Sequence, residues 1–150
     1  MPTVVLSGPE DCNCLAVRQA ARHITQFYDQ FLAASGLRTT QFSILARLRR
    51  LGPMTINALA TEMVMDRTTL GRNILPLERD GLIGIQQGSR DRRSKELRVT
   101  EAGEARFRAG MKGWEKAQQQ FEKAFGAGRT ADMRALLHAV AATDLGAPAV

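Results

Sequence analysis

The sequence predicts a mainly α-helical fold carrying one small β-hairpin, and two neighbouring stretches decide it. Asp66-Arg67-Thr68-Thr69-Leu70-Gly71-Arg72-Asn73 opens a short helix, because the Asp66 carboxylate can accept free backbone N–H groups at a helix start. Next come a strand-like run over residues 82–87, a basic loop over 88–95 and a second alternating run over 96–99. The segment Thr55-Ile56-Asn57-Ala58-Leu59-Ala60-Thr61-Glu62-Met63 supplies a helix immediately before them. Helix, helix, strand, charged hairpin loop, strand is the order of a winged helix-turn-helix.

The remaining elements follow in chain order. Residues 1–11 mix Pro, Gly, Ser and acidic groups and are expected to form a flexible arm. A helix starts near Cys12 to Leu15. Its stripe of Val17, Ala20, Ala21, Ile24, Phe27, Tyr28 and Phe31 has helical spacing, and Gly36 is placed to stop it. Thr39 or Thr40 is the expected cap of the next helix, which carries Phe42, Leu45, Leu48 and Leu51 and ends at Gly52-Pro53. Met54 reads as a very short strand, and Thr55 as the cap of the helix holding Ile56, Leu59, Ala60 and Met63. The helix from Asp66 is expected to reach about Asp80 with a bend at Pro76, which lacks an N–H for the Arg72 carbonyl.

After the hairpin, Thr100 begins a long helix with an acidic first turn. In it Phe107, Met111, Trp114, Gln118, Phe121 and Phe125 recur at steps of four and three, the seam of a helix pair. Gly126-Ala127-Gly128 is expected to break it, and Thr130 to cap a last helix with Met133, Leu136, Leu137 and Val140.

Composition narrows the function classes. A chain of 150 residues allows one ordinary domain with a real core. Its net charge of +6 and sequence pI near 10.1 favour a polyanionic partner. Aromatic content of 5% argues against a base-stacking platform for single strands. No signal peptide or membrane-spanning run is recognisable, so the expected location is cytoplasmic. With only Cys12, Cys14, His23 and His138, the chain has no donor spacing for a metal site. It also lacks a phosphate-cradling glycine loop, a nucleophile elbow and a clustered Ser/His/Asp set, so neither cofactor nor enzyme chemistry is expected.

The central stretch carries the chemistry of double-stranded DNA recognition. Arg67, Thr68, Thr69, Arg72 and Asn73 put bidentate or short polar groups at the amino-terminal end of a helix, where the major groove admits them. Thr55, at the start of the preceding helix, joins this set of candidate contacts. The hairpin holds Arg90, Arg92, Arg93, Lys95 and Arg98 against Asp91 and Glu96, and its cations can flank a groove and displace counterions from phosphates. Asp91 is the expected brace, holding Arg93 or an arginine of the recognition helix rather than touching DNA. Gly71 costs helix propensity, which points to a steric reason for it.

At this point a resemblance emerges. Asp91-Arg92-Arg93-Ser94-Lys95-Glu96-Leu97-Arg98-Val99-Thr100-Glu101-Ala102-Gly103 resembles the D-x-R…L-x-L-T-x-x-G wing signature of the MarR family of winged-helix regulators. Leu77-Glu78-Arg79-Asp80-Gly81-Leu82-Ile83 is similar to that family's L-E-x-x-G-L-[IV] helix exit. Val99 stands where Leu is usual, and Pro76 is a second departure. The resemblance implies a homodimer on a pseudo-palindromic operator, with residues 12–36 and 100–146 as dimerisation helices around a DNA-binding lobe at 39–99, all within one unit over 12–150. The Phe107 to Phe125 seam, too apolar to face water, agrees with it.

The resemblance also implies a repressor that a small, often aromatic or phenolic, anion releases from DNA. The candidate lining here is Arg18, Arg22, His23, Phe27, Phe42 and Trp114, cations beside aromatic rings. An alternative input is thiol-based redox sensing through Cys12 and Cys14, near a helix start and Arg18. A further alternative is a winged-helix module for protein interaction, because fold does not fix function.

Overall fold

The structure is a computed structural model that describes residues 8–146. The expected arm at 1–11 therefore lies mostly outside the described residues, and its described end, Pro9–Asp11, is a 3₁₀ turn. Helix α1 spans Asn13–Leu32, and the Cys12 Sγ caps it by accepting the Leu15 N–H at 3.4 Å. Residues 11–20 are all exposed, whereas Tyr28 and Leu32 are buried. A 3₁₀ turn, Ala33–Ser35, extends α1, and Gly36 ends that turn in the left-handed region at φ 74°.

Helix α2 spans Thr39–Leu51, beginning one residue earlier than a Thr39 cap requires. Arg38 takes the cap position, and the Gln41 Oε1 accepts its N–H at 3.0 Å. Thr39 instead donates both its N–H and its hydroxyl to Asp29 Oδ1, each at 2.7 Å. That carboxylate pins α2 to α1. It drew the threonine away from the local capping role that its residue type favours.

Strand β1 (Met54–Thr55) leads into α3 (Ile56–Met63), which the Thr55 hydroxyl caps by accepting the Ala58 N–H at 3.1 Å. Helix α4 spans Arg67–Arg79 and stays helical through Pro76. Strands β2 (Ile83–Gln87) and β3 (Lys95–Val99) form the hairpin, and β3 also pairs with β1, giving an antiparallel sheet in the order β1-β3-β2. Leu97 faces Met54 on one side and Ile85 on the other, and it is buried.

Helix α5 spans Glu101–Phe125, with the Thr100 hydroxyl accepting the Gly103 N–H at 3.0 Å and donating to the Gly81 carbonyl at 2.6 Å. Two glycines let α5 lie against its neighbours. An added Cβ would come within 2.1 Å of the Leu82 carbonyl oxygen at Gly103, and within 2.1 Å of the Phe31 carbonyl oxygen at Gly113. Helix α6 spans Ala127–Ala142, so the expected break and the Thr130 cap are both corrected: Gly126 alone, at φ 105°, separates the helices. Thr130 lies inside the first turns of α6, is 4% exposed, and its hydroxyl has no protein partner among the described residues.

Leu32, Ile44, Leu45, Leu59, Leu70, Leu77 and Ile83 are fully buried, one core drawn from α1, α2, α3, α4 and β2. Each such side chain contributes roughly 1.5–3 kcal/mol of burial. Phe42 stacks on Phe107 with ring centroids 4.8 Å apart, and on Trp114 at 6.2 Å. Phe121 meets Phe27 of α1 at 6.4 Å. Much of the α5 seam is therefore closed within the chain by α1 and α2, and it no longer serves as an argument for a second copy. Exposed apolar residues lie elsewhere, among them Leu15 and Val17 on α1, and Leu136, Leu137 and Val140 on α6.

Candidate nucleic-acid interface

The turn between α3 and α4 sets the pose of α4. Val64 caps α3 at φ 53°, a left-handed conformation that β-branched residues rarely adopt. Two residues on, Asp66 Oδ1 accepts the Thr69 N–H at 2.8 Å and Oδ2 accepts the Thr69 hydroxyl at 2.7 Å. The Thr69 hydroxyl, and then its N–H, hold the Asp66 carboxyl below the usual carboxylate range. Leu70, Ile74 and Leu77 anchor the inner face of α4 in the core. The outer face carries Arg67, Thr68, Arg72 and Leu75, all exposed.

The five predicted base-facing side chains divide into two groups. Arg67, Thr68 and Arg72 form no side-chain hydrogen bond or ion pair among the described residues and point their donors to solvent. Thr69 is held by Asp66, and the Asn73 amide donates to the Thr69 carbonyl at 2.9 Å, so both already serve the helix. Thr55 likewise uses its hydroxyl as a cap. Exposed Leu75 escaped the sequence reading, since its apolar character assigned it to the continuing helix pattern.

The wing is braced from within. The Gly88 N–H donates to the Ser94 carbonyl at 2.9 Å, and Glu96 accepts the Ser89 N–H at 3.2 Å. Asp91 Oδ1 accepts the Arg93 backbone N–H at 2.9 Å, while its carbonyl accepts from the Ser94 hydroxyl at 2.8 Å. Asp91 thus steadies the turn through backbone, not through a guanidinium. Arg90, Arg92, Arg93 and Lys95 stay exposed and outside any ion pair among the described residues.

The candidate effector residues do not form one site. Phe42 and Trp114 line an open cavity of about 720 Å³ between α1, α2, α3, α5 and α6. His23 and Phe27 line a separate cleft of about 310 Å³ with Phe121 and Phe125, and Arg18 and Arg22 line neither. Tyr28, Arg47, Thr130 and Arg134 border the larger cavity and were not among the expected residues. Only packing could reveal them: Tyr28 donates to Gln118 Oε1, and burial, then Glu122, push its phenol pKa up. At the same cavity, Arg47 of α2 pairs with Glu62 of α3 at 3.6 Å. Cys12 and Cys14 are free thiols and both exposed. Among the described residues no group of three His, Cys, Asp or Glu side chains could hold a metal, and no helix is long and apolar enough to cross a membrane.

A capped helix with unpaired arginines, seated beside a braced cationic hairpin, is the working part of a winged helix-turn-helix transcriptional regulator. The family model described as MarR family matches residues 37–95. YwoH of Bacillus subtilis, an uncharacterized HTH-type transcriptional regulator, is 32% identical over 91 residues, 61% of this chain and 66% of that protein. The chain spans about half the length of the other curated relatives it matches, 52% of the HTH-type regulator of Bacillus cereus. The transcriptional regulator MosR of Mycobacterium tuberculosis, solved in complex with DNA, is 34% identical with a TM-score of 0.74, covering 87% of this chain and 96% of its own. BpsR of Bordetella bronchiseptica, whose DNA binding is regulated by 6-hydroxynicotinic acid, overlays at a TM-score of 0.81 over 92% of this chain and 99% of its own. At 20% identity, BpsR shows the fold alone. This chain belongs to the MarR family; it is a DNA-binding transcriptional regulator.

Proposed function

We propose that the chain acts in the cytoplasm as a homodimeric, sequence-specific repressor that a small aromatic or phenolic anion releases from its operator. The observation that carries the DNA contact is that Arg67, Thr68 and Arg72 on α4 and Arg90, Arg92, Arg93 and Lys95 of the wing are all exposed and outside any ion pair among the described residues. In this reading Thr68 and Arg72 read base edges, helped by Asn73, while the wing cations and the amino terminus capped by Thr55 grip phosphates. Residues 39–99 form the DNA-binding lobe. Residues 12–36 and 100–146 join the two copies, which favours pseudo-palindromic half-sites about 10 bp apart.

The exposed apolar residues of α1 and α6 support dimerisation, since water is a poor partner for Leu15, Val17, Leu136, Leu137 and Val140 together. The larger cavity supports an effector. Its aromatic wall of Phe42, Phe107 and Trp114 suits a flat ring, while Arg134 and the Thr130 hydroxyl, which has no partner among the described residues, suit an anion's oxygens. Titration calorimetry with a panel of hydroxybenzoates tests this part: heat lost in Thr130→Val supports it, and no heat from any ring acid removes it.

For DNA binding, the test is a salt series on a duplex selected from a randomised library, beside sedimentation of the protein alone. A dimer with a steep salt slope and a large preference over random DNA is expected. A monomer at micromolar concentration, or equal affinity for both duplexes, contradicts the proposal. Leu136→Glu, at an exposed site, is expected to convert dimer to monomer without unfolding the chain.

A second reading is redox control, favoured by Cys12 standing exposed at the amino end of α1 with its sulfur accepting a backbone N–H. Hydrogen peroxide would oxidise that thiol to a sulfenic acid with release of water. A second cysteine thiol would then condense with it to a disulfide, releasing water. Identical DNA affinity with and without peroxide, in the wild type and in Cys12→Ser/Cys14→Ser, rules it out.

A further inference from the structure

Gly71 sits near the middle of α4, where glycine weakens a helix, and nothing among the described residues explains it. A Cβ added there meets no atom within 4 Å. The glycines of α5 differ: Gly103 and Gly113 would each drive a Cβ to within 2.1 Å of a backbone oxygen. Nor does Gly71 have a positive φ to relieve. The missing methyl therefore clears space outside the molecule.

Its surroundings say what that space receives. Residues three before and four after share a helix face, so Thr68 and Leu75 flank Gly71, with Arg72 beside it. Leu75 is 64% exposed, an apolar side chain held out on the same face as two unpaired arginines. A floor without a side chain, between a threonine methyl and a leucine, is a shallow apolar notch rimmed by positive charge. An apolar protein partner would have to desolvate those cations unpaired. The major groove offers them phosphates and base acceptors, and one compact apolar group, the thymine C5-methyl.

We infer that Gly71, Thr68 and Leu75 form a thymine-reading notch that draws α4 closer to the base edges than any other residue at position 71 would permit. This rests on the DNA-binding reading and adds two specificity-determining positions, Gly71 and Leu75, to it. Because deoxyuridine lacks only the methyl, it probes the notch without disturbing pairing.

The probe is the duplex that wild-type protein recovers from a randomised 30-bp (about three turns) library, with each thymine replaced in turn by deoxyuridine and affinity read by fluorescence anisotropy. One position per half-site is expected to lose about fivefold or more in affinity for the wild type. Leu75→Ala should distinguish thymine from deoxyuridine there by less than about twofold. Gly71→Ala should melt about 2–4 °C higher, yet bind the selected duplex about tenfold or more weakly. Indifference to every replacement, wild-type affinity in Gly71→Ala, or a lower melting temperature for it would each overturn the notch. Failure of the wild type to select any duplex overturns the DNA-binding reading itself, and is told apart by occurring before any replacement is made.

Discussion

The carboxylate of Asp66 and the side chain of Thr69 close a ring at the start of α4: one oxygen takes the Thr69 N–H at 2.8 Å and the other its hydroxyl at 2.7 Å. The ring fixes where α4 begins and therefore which residues face outward. It also leaves Thr68, its neighbour, as the threonine whose hydroxyl is free to meet a base.

A pH dependence follows from that ring. The folded pKa of Asp66 lies below its ordinary value, chiefly because of the Thr69 hydroxyl and then its N–H. Its contribution to stability is complete above the unfolded value of about 3.9 and is lost as pH falls through the folded one. Asp66→Asn keeps an acceptor but has no proton to gain. In thermal unfolding between about pH 6 and pH 2.5, the wild type should exceed Asp66→Asn in Tm above about pH 4, and the gap should narrow below it. A gap that does not change with pH would refute the assignment.

The arginines of α4 and of the wing should fail in different ways. Arg72→Ala should relax base preference by a factor worth about 1–3 kcal/mol at one position of each half-site. Arg92→Ala should weaken selected and random duplexes alike and lower the salt slope by about one. Anisotropy titrations across a salt series separate the two, and equal behaviour of both variants would contradict this division of roles.

Val64 is the one non-glycine residue with positive φ among the described residues, and it is 74% exposed. Asn tolerates this conformation better than a β-branched residue, and little burial is lost on replacing the valine. Val64→Asn should therefore raise stability by about 1 kcal/mol in denaturant unfolding, with the unfolding slope unchanged. A loss of stability would show that the valine side chain makes a contact worth more than the strain.

Thr130 offers the converse case, a hydroxyl buried without a protein partner among the described residues. Thr130→Val keeps its shape and removes the unsatisfied oxygen, so stability should rise by about 1 kcal/mol. Phe42→Ala, across the same cavity, should cost about 3–5 kcal/mol, because Phe42 is 5% exposed and stacks on Phe107. Chemical denaturation of both variants checks the pair.

What the sequence disclosed follows the reach of each interaction. Thr55 and Asp66 were legible as caps, and Thr100 as the start of a helix, because their partners lie three residues away. Thr39 and Thr130 misled for the opposite reason: one is claimed by Asp29 on another helix, and the other is buried in the first turns of α6. The wing could be read because strand alternation and a basic turn are local patterns, and its two strands lie within one residue of the expected runs. The aromatic seam of α5 gave away its period but not its partner, since nothing near Phe107 in the chain points to Phe42. For the same reason Phe42 and Trp114 could be named as cavity residues, while Tyr28 and Arg134, brought there from α1 and α6, could not.

Hydroxyl-radical footprinting of the protein on its selected duplex tests the central proposal most directly. Two copies presenting α4 and the wing predict two symmetric protected patches about 10 bp apart, with added protection of the flanking sugars where the wings lie. A single patch, or protection without symmetry, would contradict it.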